Sequence, residues 1–168
     1  MKKAILAIVV MLQMAICGAV AACNIPAPSG DVILVVDGMI NACNQTMEVH
    51  FDRAMLDALP QHTIKTENPW EEGQVTYEGV LLRDLMDHVK ADGKVAMVAA
   101  LNDYRAEIPV QDFATYDIIL ASKRNGVELP VRDKGPLFVV FPFLDNPDLK
   151  TEARYAQSVW QVNRITLK

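Results

Sequence analysis

Apolar and polar residues alternate in short runs along most of this chain. Residues 31–36 form an apolar run closed by Asp37-Gly38, which predicts a strand. Between 45 and 51, Met47, Val49 and Phe51 share one face and Glu48 and His50 the other. That two-residue period predicts a half-buried strand. Asp52 is placed to cap a short helix, with Met55, Leu56 and Leu59 on one side and Pro60 after it. A short strand fits 62–65. Residues 75–77 read as extended and Glu78-Gly79 as a turn. Leu81, Leu82, Leu85, Met86 and Val89 then recur at helical spacing and predict an amphipathic helix over 80–91, stopped by Gly93.

The rest of the pattern is mostly strand. Residues 94–101 are apolar on both faces and predict a buried strand. After an Asn102-Asp103 turn, Tyr104, Ala106 and Ile108 alternate with Arg105 and Glu107. Asn125-Gly126 lies between the β-prone runs 118–122 and 127–131, a strong hairpin signal. Lys134-Gly135-Pro136 turns into 137–143, apolar enough for a central strand. A short helix is expected from Thr151, and alternation over 159–167 closes the chain as a strand. Many strands and few short helices in mixed order predict an α+β domain on a mixed β-sheet.

The first 22 residues break this pattern. Lys2 and Lys3 precede a long apolar stretch that ends among Gly18, Ala19, Ala21 and Ala22. This is the layout of a secretory signal peptide, so the expected location is periplasmic or otherwise exported. Residues 23–30 are expected to form a short flexible segment, and 31–168 a single domain. Two processing routes fit. Ala19-Val20-Ala21 suits ordinary signal peptidase, after which Cys23 and Cys43 can pair as a disulfide. Val20-Ala21-Ala22-Cys23 resembles a lipobox, in which Cys23 is lipidated and cannot pair with Cys43. The chain then meets a membrane through that anchor. The net charge of −5 becomes −7 once Lys2 and Lys3 leave. An acidic domain without a basic stretch argues against nucleic acid as a partner.

Several stretches together carry a family resemblance. Trp70, then Tyr77-Glu78-Gly79-Val80-Leu81-Leu82 and Leu85-Met86, resembles part of the sulfite-oxidase-type molybdopterin-binding oxidoreductase domain. Ala99-Ala100-Leu101-Asn102-Asp103-Tyr104 with Ile108-Pro109, Asn125-Gly126 with Leu129, Gly135-Pro136-Leu137-Phe138-Val139-Val140-Phe141-Pro142, and Val159-Trp160-Gln161-Val162-Asn163-Arg164-Ile165 follow in the family's order. The resemblance covers 63–168. It implies that fold, a molybdopterin cofactor, and a cofactor cleft beside the Thr66–Trp70 loop and the 102–105 turn. In catalytic members a cysteine thiolate holds molybdenum at a position that here reads Thr66. A threonine hydroxyl is hardly ionised near neutral pH and is a far poorer ligand for such a metal than a thiolate. No bound cofactor is therefore expected, although the resemblance itself implies molybdopterin.

Thr66, Trp70, Asn102, Asp103, Tyr104 and Arg105 are the candidate binding residues, with Trp70 and Tyr104 as apolar walls and Asp103 and Arg105 as polar anchors. Against this stands ordinary turn chemistry at 102–105. Tyr77 and Phe141 are expected in the core. His50, His62 and His88 lack ligand spacing and are expected at the surface. Ser122 and Ser158 lack a nucleophile elbow. Glu71-Glu72 is expected in solvent. Three functions fit: a degenerate exported domain that binds a small molecule or a periplasmic or membrane protein as a sensory module; an oxidoreductase holding molybdopterin without a protein thiolate; or a structural lipoprotein subunit.

Overall fold

The alternating runs pair into two sheets. A computed structural model describes residues 24–168. In chain order the elements are β1 (Leu34–Gly38), β2 (Val49–Phe51), α1 (Arg53–Asp57), β3 (Gln61–Thr66), β4 (Val75–Leu81), α2 (Leu82–His88), β5 (Val95–Ala100), β6 (Arg105–Pro109), α3 (Val110–Thr115), β7 (Ile119–Arg124), β8 (Val127–Glu128), β9 (Phe138–Val140), a 3-10 turn (Pro147–Leu149), α4 (Glu152–Gln157) and β10 (Val162–Leu167). The first sheet has the order β2-β1-β10-β5-β6. All its neighbours run antiparallel except β1 and β10, which are parallel, with Val35 opposite Arg164. The second has the order β3-β4-β7-β8, and β9 also pairs with β7. The architecture is α+β with mixed sheets and few short helices, as the pattern predicts.

Side-chain alternation decides what each sheet covers. Leu34, Val36, Val98, Ile108, Val162 and Ile165 point from the first sheet into the main core. They meet Leu82, Leu85 and Met86 of α2, Phe113 of α3, and Val80, Leu120 and Val139 from the second sheet. The other face of the second sheet buries Ile64, Val75, Tyr77, Ile119, Phe138 and Val140 in a separate cluster, against which Trp70 and Trp160 pack. Strands buried on both faces read as unbroken apolar runs, which is why 137–143 looks central in the sequence.

The structure corrects several expectations. Met47 is 77% exposed in a left-handed turn, so β2 begins only at Val49. Glu78-Gly79 does not turn the chain: β4 runs through it with a register shift, and the helix begins at Leu82. Gly79 is required because a Cβ there would lie 2.1 Å from the Leu120 carbonyl oxygen. α2 ends well before Gly93, with Lys90 at positive φ. The run 137–143 pairs as a strand only over β9, and Gln161 at φ 56° separates Trp160 from β10. α3 has no counterpart among the expected elements. Two local signals hold. Asn125 (φ 51°) and Gly126 (φ 78°) make the tight turn between β7 and β8, and Asp52 caps α1 by accepting from the Met55 amide at 2.8 Å.

The segment 24–30, expected to be a flexible tether, is docked. Ile25 is buried, and its amide donates to the Cys43 carbonyl at 3.2 Å. Ser29 and Gly30 donate their amides to the same Asp52 carboxylate oxygen at 2.7 and 2.8 Å. Cys43 is disulfide-bonded. Cys23 and the expected signal peptide lie outside the described residues.

Two outcomes follow. Gly79→Ala forces a methyl into strand backbone that cannot yield, and should destabilise by at least about 2 kcal/mol in denaturant unfolding. The amides of Met55 and Gly30 hold the Asp52 carboxyl below the usual carboxylate range. A carboxylate whose folded pKa is depressed adds stability above its unfolded pKa, and that stability fades as pH falls through the lower folded value. Asp52→Asn should thus lower the melting temperature at neutral pH, by a margin that narrows in acid. A margin that does not depend on pH would contradict this.

Candidate functional site

A concavity of about 320 Å³ opens where the β5–β6 turn meets α4 and the loop after β3. Trp70, Tyr104, Tyr155 and Trp160 line it, with Asn102, Ser158 and small apolar groups between them. Each wall is placed by a local device. The Asn68 side chain accepts from the Trp70 amide at 3.0 Å and so shapes the loop. Asn102 accepts from the Tyr104 amide at 3.1 Å, and the Asp103 amide donates to Ala100 O at 3.0 Å. Tyr104 OH then reaches across to the Ala156 carbonyl at 2.8 Å and ties the hairpin to α4. Thr151 caps α4, accepting from the Arg154 amide at 3.3 Å, and this sets Tyr155. Trp160 is held by a bridge between its backbone and Phe138.

The rings form one connected set. Trp70 stands edge-on to Trp160 (5.4 Å between centroids, 87°) and to Tyr155 (6.0 Å, 80°). Phe138 lies beneath, 6.3 Å from Trp70 and 6.4 Å from Trp160. Behind it Tyr77 is fully buried and receives a 3.3 Å hydrogen bond from Asn68. Burial, with the Glu71 charge nearby, pushes its phenol up to about 12, so it stays neutral. Tyr77 and Phe141 are core residues, as expected.

A second, more polar hollow lies alongside, lined by Glu67, Asn68, Glu71, Lys150 and the shared Tyr155. Its charges are matched within the protein. Lys150 pairs with Glu67, and Glu71 accepts from Arg124 at 2.9 Å and from Lys134 at 3.0 Å. Glu71 is therefore an ion-pair partner and not the solvated carboxylate expected. Arg124 also binds Asp133 at 2.5 Å, and this hydrogen bond holds the Asp133 carboxyl below the usual range.

The structure brings Trp70, Asn102 and Tyr104 to one concavity, as the sequence predicts. It does not bring the proposed anchors. Asp103 and Arg105 are exposed and do not line it. Asp103 occupies the left-handed turn position (φ 64°), and Arg105 opens the edge strand β6 opposite Ala99. Thr66 is fully buried, and its hydroxyl donates to the Phe141 carbonyl at 3.1 Å without reaching the hollow. Tyr155 and Trp160 are walls that sequence reasoning missed as site residues. Trp160 stands out only as part of the closing-strand motif, and Tyr155 gives no signal. Ser158 is buried and donates to the Arg154 carbonyl at 3.0 Å. His50 is half-buried and paired with Glu48 at 2.6 Å, not freely solvated. Among the described residues, no group of three or more His, Cys, Asp or Glu could hold a metal ion.

Residues 38–144 match the profile of the oxidoreductase molybdopterin-binding domain, more than half of the chain. The chain belongs to that family. The match starts at the end of β1, earlier than the resemblance at 63–168, and ends before α4 and β10. Trp70, Asn102 and Tyr104 fall inside it, and Tyr155 and Trp160 outside. No curated protein matches the chain.

Molybdopterin is the group this family implies. The residues present do not fit it in its thiolate-held form. Position 66 carries a hydroxyl already engaged with Phe141 O, and the described residues that line the aromatic hollow include no cation for a pterin phosphate.

Replacing the engaged hydroxyl tests the structural role of Thr66. Thr66→Val should cost only about 1 kcal/mol, because the Phe143 amide still reaches the Phe141 carbonyl at 2.9 Å. Chemical denaturation checks this, and a loss above about 3 kcal/mol would mean that the hydroxyl does more than fill its place with a shared hydrogen bond to Phe141 O and Glu67 O.

Proposed function

We propose that this protein is an exported small-molecule binding module built on the molybdopterin-domain fold, serving a sensory or accessory role. The aromatic hollow is its working surface. The observation that carries this reading is the contrast between two positions. Thr66, where the family's metal thiolate is expected, is buried and engaged within the protein, whereas Trp70, Tyr104, Tyr155 and Trp160 leave a half-exposed concavity of ligand size. Concave sites with apolar walls and a few polar groups are the usual form of small-molecule sites. Export is supported by the leader-like residues 1–22, and a periplasmic or membrane protein is the expected partner for its signal.

The chemistry of the hollow favours binding over catalysis. Ser158 donates its hydroxyl to a backbone carbonyl, and among the described residues no histidine or carboxylate lines the cavity.

Protein exported from a host that makes the molybdenum cofactor should contain far less than one molybdenum per chain by elemental analysis; stoichiometric metal would promote the oxidoreductase reading. Neutral indole-sized fragments should bind weakly in ligand-observed NMR and lose that binding in Trp160→Leu. Binding that survives the substitution would move the site elsewhere.

A further inference from the structure

The angles between the rings carry information about ligand shape. Trp70 is at 87° to Trp160 and at 80° to Tyr155. Rings set this way meet edge to face around the hollow and do not form the parallel faces of a slot. A flat heterocycle gains most between parallel faces, and in a right-angled corner it lies against one wall at a time. A rounded group touches several walls at once.

Charge narrows the class further. Each ring face presents the negative side of an aromatic quadrupole. The lining residues are aromatic, small or neutral polar, with no Lys or Arg among them. An anion would lose water and meet no counter-charge. Two of the acceptors nearby each already hold one donor. Ala156 O takes the Tyr104 hydroxyl, and the Asn102 carboxamide oxygen takes the Tyr104 amide. A primary ammonium would bring N–H groups with few partners. A trimethylammonium group brings none: it is rounded, its methyls bury against the rings, and its charge is attracted to their faces.

We propose that the hollow is an aromatic cage for a quaternary ammonium group, formed by Trp70, Tyr104, Tyr155 and Trp160. This rests on reading the hollow as a ligand site, and names the ligand's chemistry. The cavity of about 320 Å³ exceeds one trimethylammonium group, so a short substituent fits with it. The same group could arrive on a free solute or on a lipid headgroup.

Both tryptophans of the chain line this hollow, so intrinsic tryptophan emission reports on it alone. The exported protein is titrated with choline and with 3,3-dimethylbutan-1-ol, which has nearly the same shape without the charge. Choline should give a saturable change in emission and bind about tenfold or more tightly than the neutral isostere. Tyr104→Leu keeps an apolar side chain but no ring, and should weaken choline about five- to tenfold. Tyr104→Phe should retain most of the binding. If the isostere binds as well as choline, the cage is wrong and the hollow remains an apolar ligand site. If choline gives no saturable response while neutral fragments still bind in a Trp160-dependent way, the cage alone fails. If neither binds, the ligand-site reading fails with it. Unchanged choline affinity in Tyr104→Leu, with thermal melting showing a folded protein, also overturns the cage. Co-flotation with phosphatidylcholine vesicles that free choline displaces assigns the group to a lipid, and choline binding without flotation assigns it to a solute.

Discussion

The pairing of β10 between β1 and β5 is the contact on which the rest of the structure depends. Without it the first sheet would be two separate hairpins, β1–β2 and β5–β6, neither able to bury a face alone. β10 supplies Val162, Ile165 and Leu167 to the main core and hydrogen-bonds along both sides. Its end is pinned as well: the amides of Lys94 and Val95 donate to the Lys168 carbonyl at 2.6 and 3.0 Å, and the Lys168 amide returns to Val95 O at 2.8 Å. Gly93 is needed beside it, since a Cβ there would sit 2.9 Å from Lys168 backbone atoms. Pairing β10 with β1, far apart along the sequence, makes the sheet non-local, and such contacts form slowly because loop closure comes first.

The same strand fixes the aromatic hollow. Gln161, in the left-handed region, lets the chain leave β10 at an angle and lay Trp160 across the second sheet's outer cluster. Its amide donates to Lys134 O, and its side chain donates to Val131 O at 2.7 Å, so the bend is fastened to the loop after β8. Trp160 and Trp70 therefore have two tasks. Each packs on Phe138 and on the other, and each stays only partly buried where it lines the hollow. Truncating either would expose the second cluster as well as empty the hollow. Tyr104 stands apart from this cover, at 45% exposure and joined to α4 chiefly through its hydroxyl. It is the wall whose loss the fold tolerates best.

What the sequence makes legible is what is local. The Asp52 cap, the Asn125-Gly126 turn and the alternation in β6 are decided within a few residues, and each appears where the pattern puts it; β5, expected to be buried on both faces, is buried only at alternate positions, and a bulge between Val162 and Arg164 breaks the alternation expected over 159–167. The order of motifs around Tyr77, Asn102 and Gly135-Pro136 also places the fold correctly. The errors have a common cause in contacts distant along the chain. Gly79 looks like a turn residue but marks a strand pressed against the Leu120 carbonyl. Met47 continues an alternation that the backbone abandons. α3 is short and buries only Phe113, too little to show a period. In the site, Trp70 and Tyr104 are legible because their flanking motifs are. Tyr155 enters from a helix whose sequence says nothing of where it docks. Asp103 and Arg105 attract attention as charges, yet the turn that exposes them aims them away from the rings.

Thr66 shows why retention of a fold and retention of a metal site are separate matters. Its hydroxyl is not a neutral filler where a thiolate might sit. It donates to Phe141 O at 3.1 Å from a fully buried position at the end of β3. A sulfur at this position would be larger and a weaker donor, and in apolar surroundings its ionisation would be opposed, because burial favours the neutral thiol. The surroundings of position 66 suit a hydrogen-bonding side chain. A cysteine at position 66 would sit fully buried beside the Phe141 carbonyl, where a thiolate has no donor to stabilise it. Position 66 is thus held inside the packing by burial and by its hydrogen bond, while Trp70, four residues on, lines the open hollow.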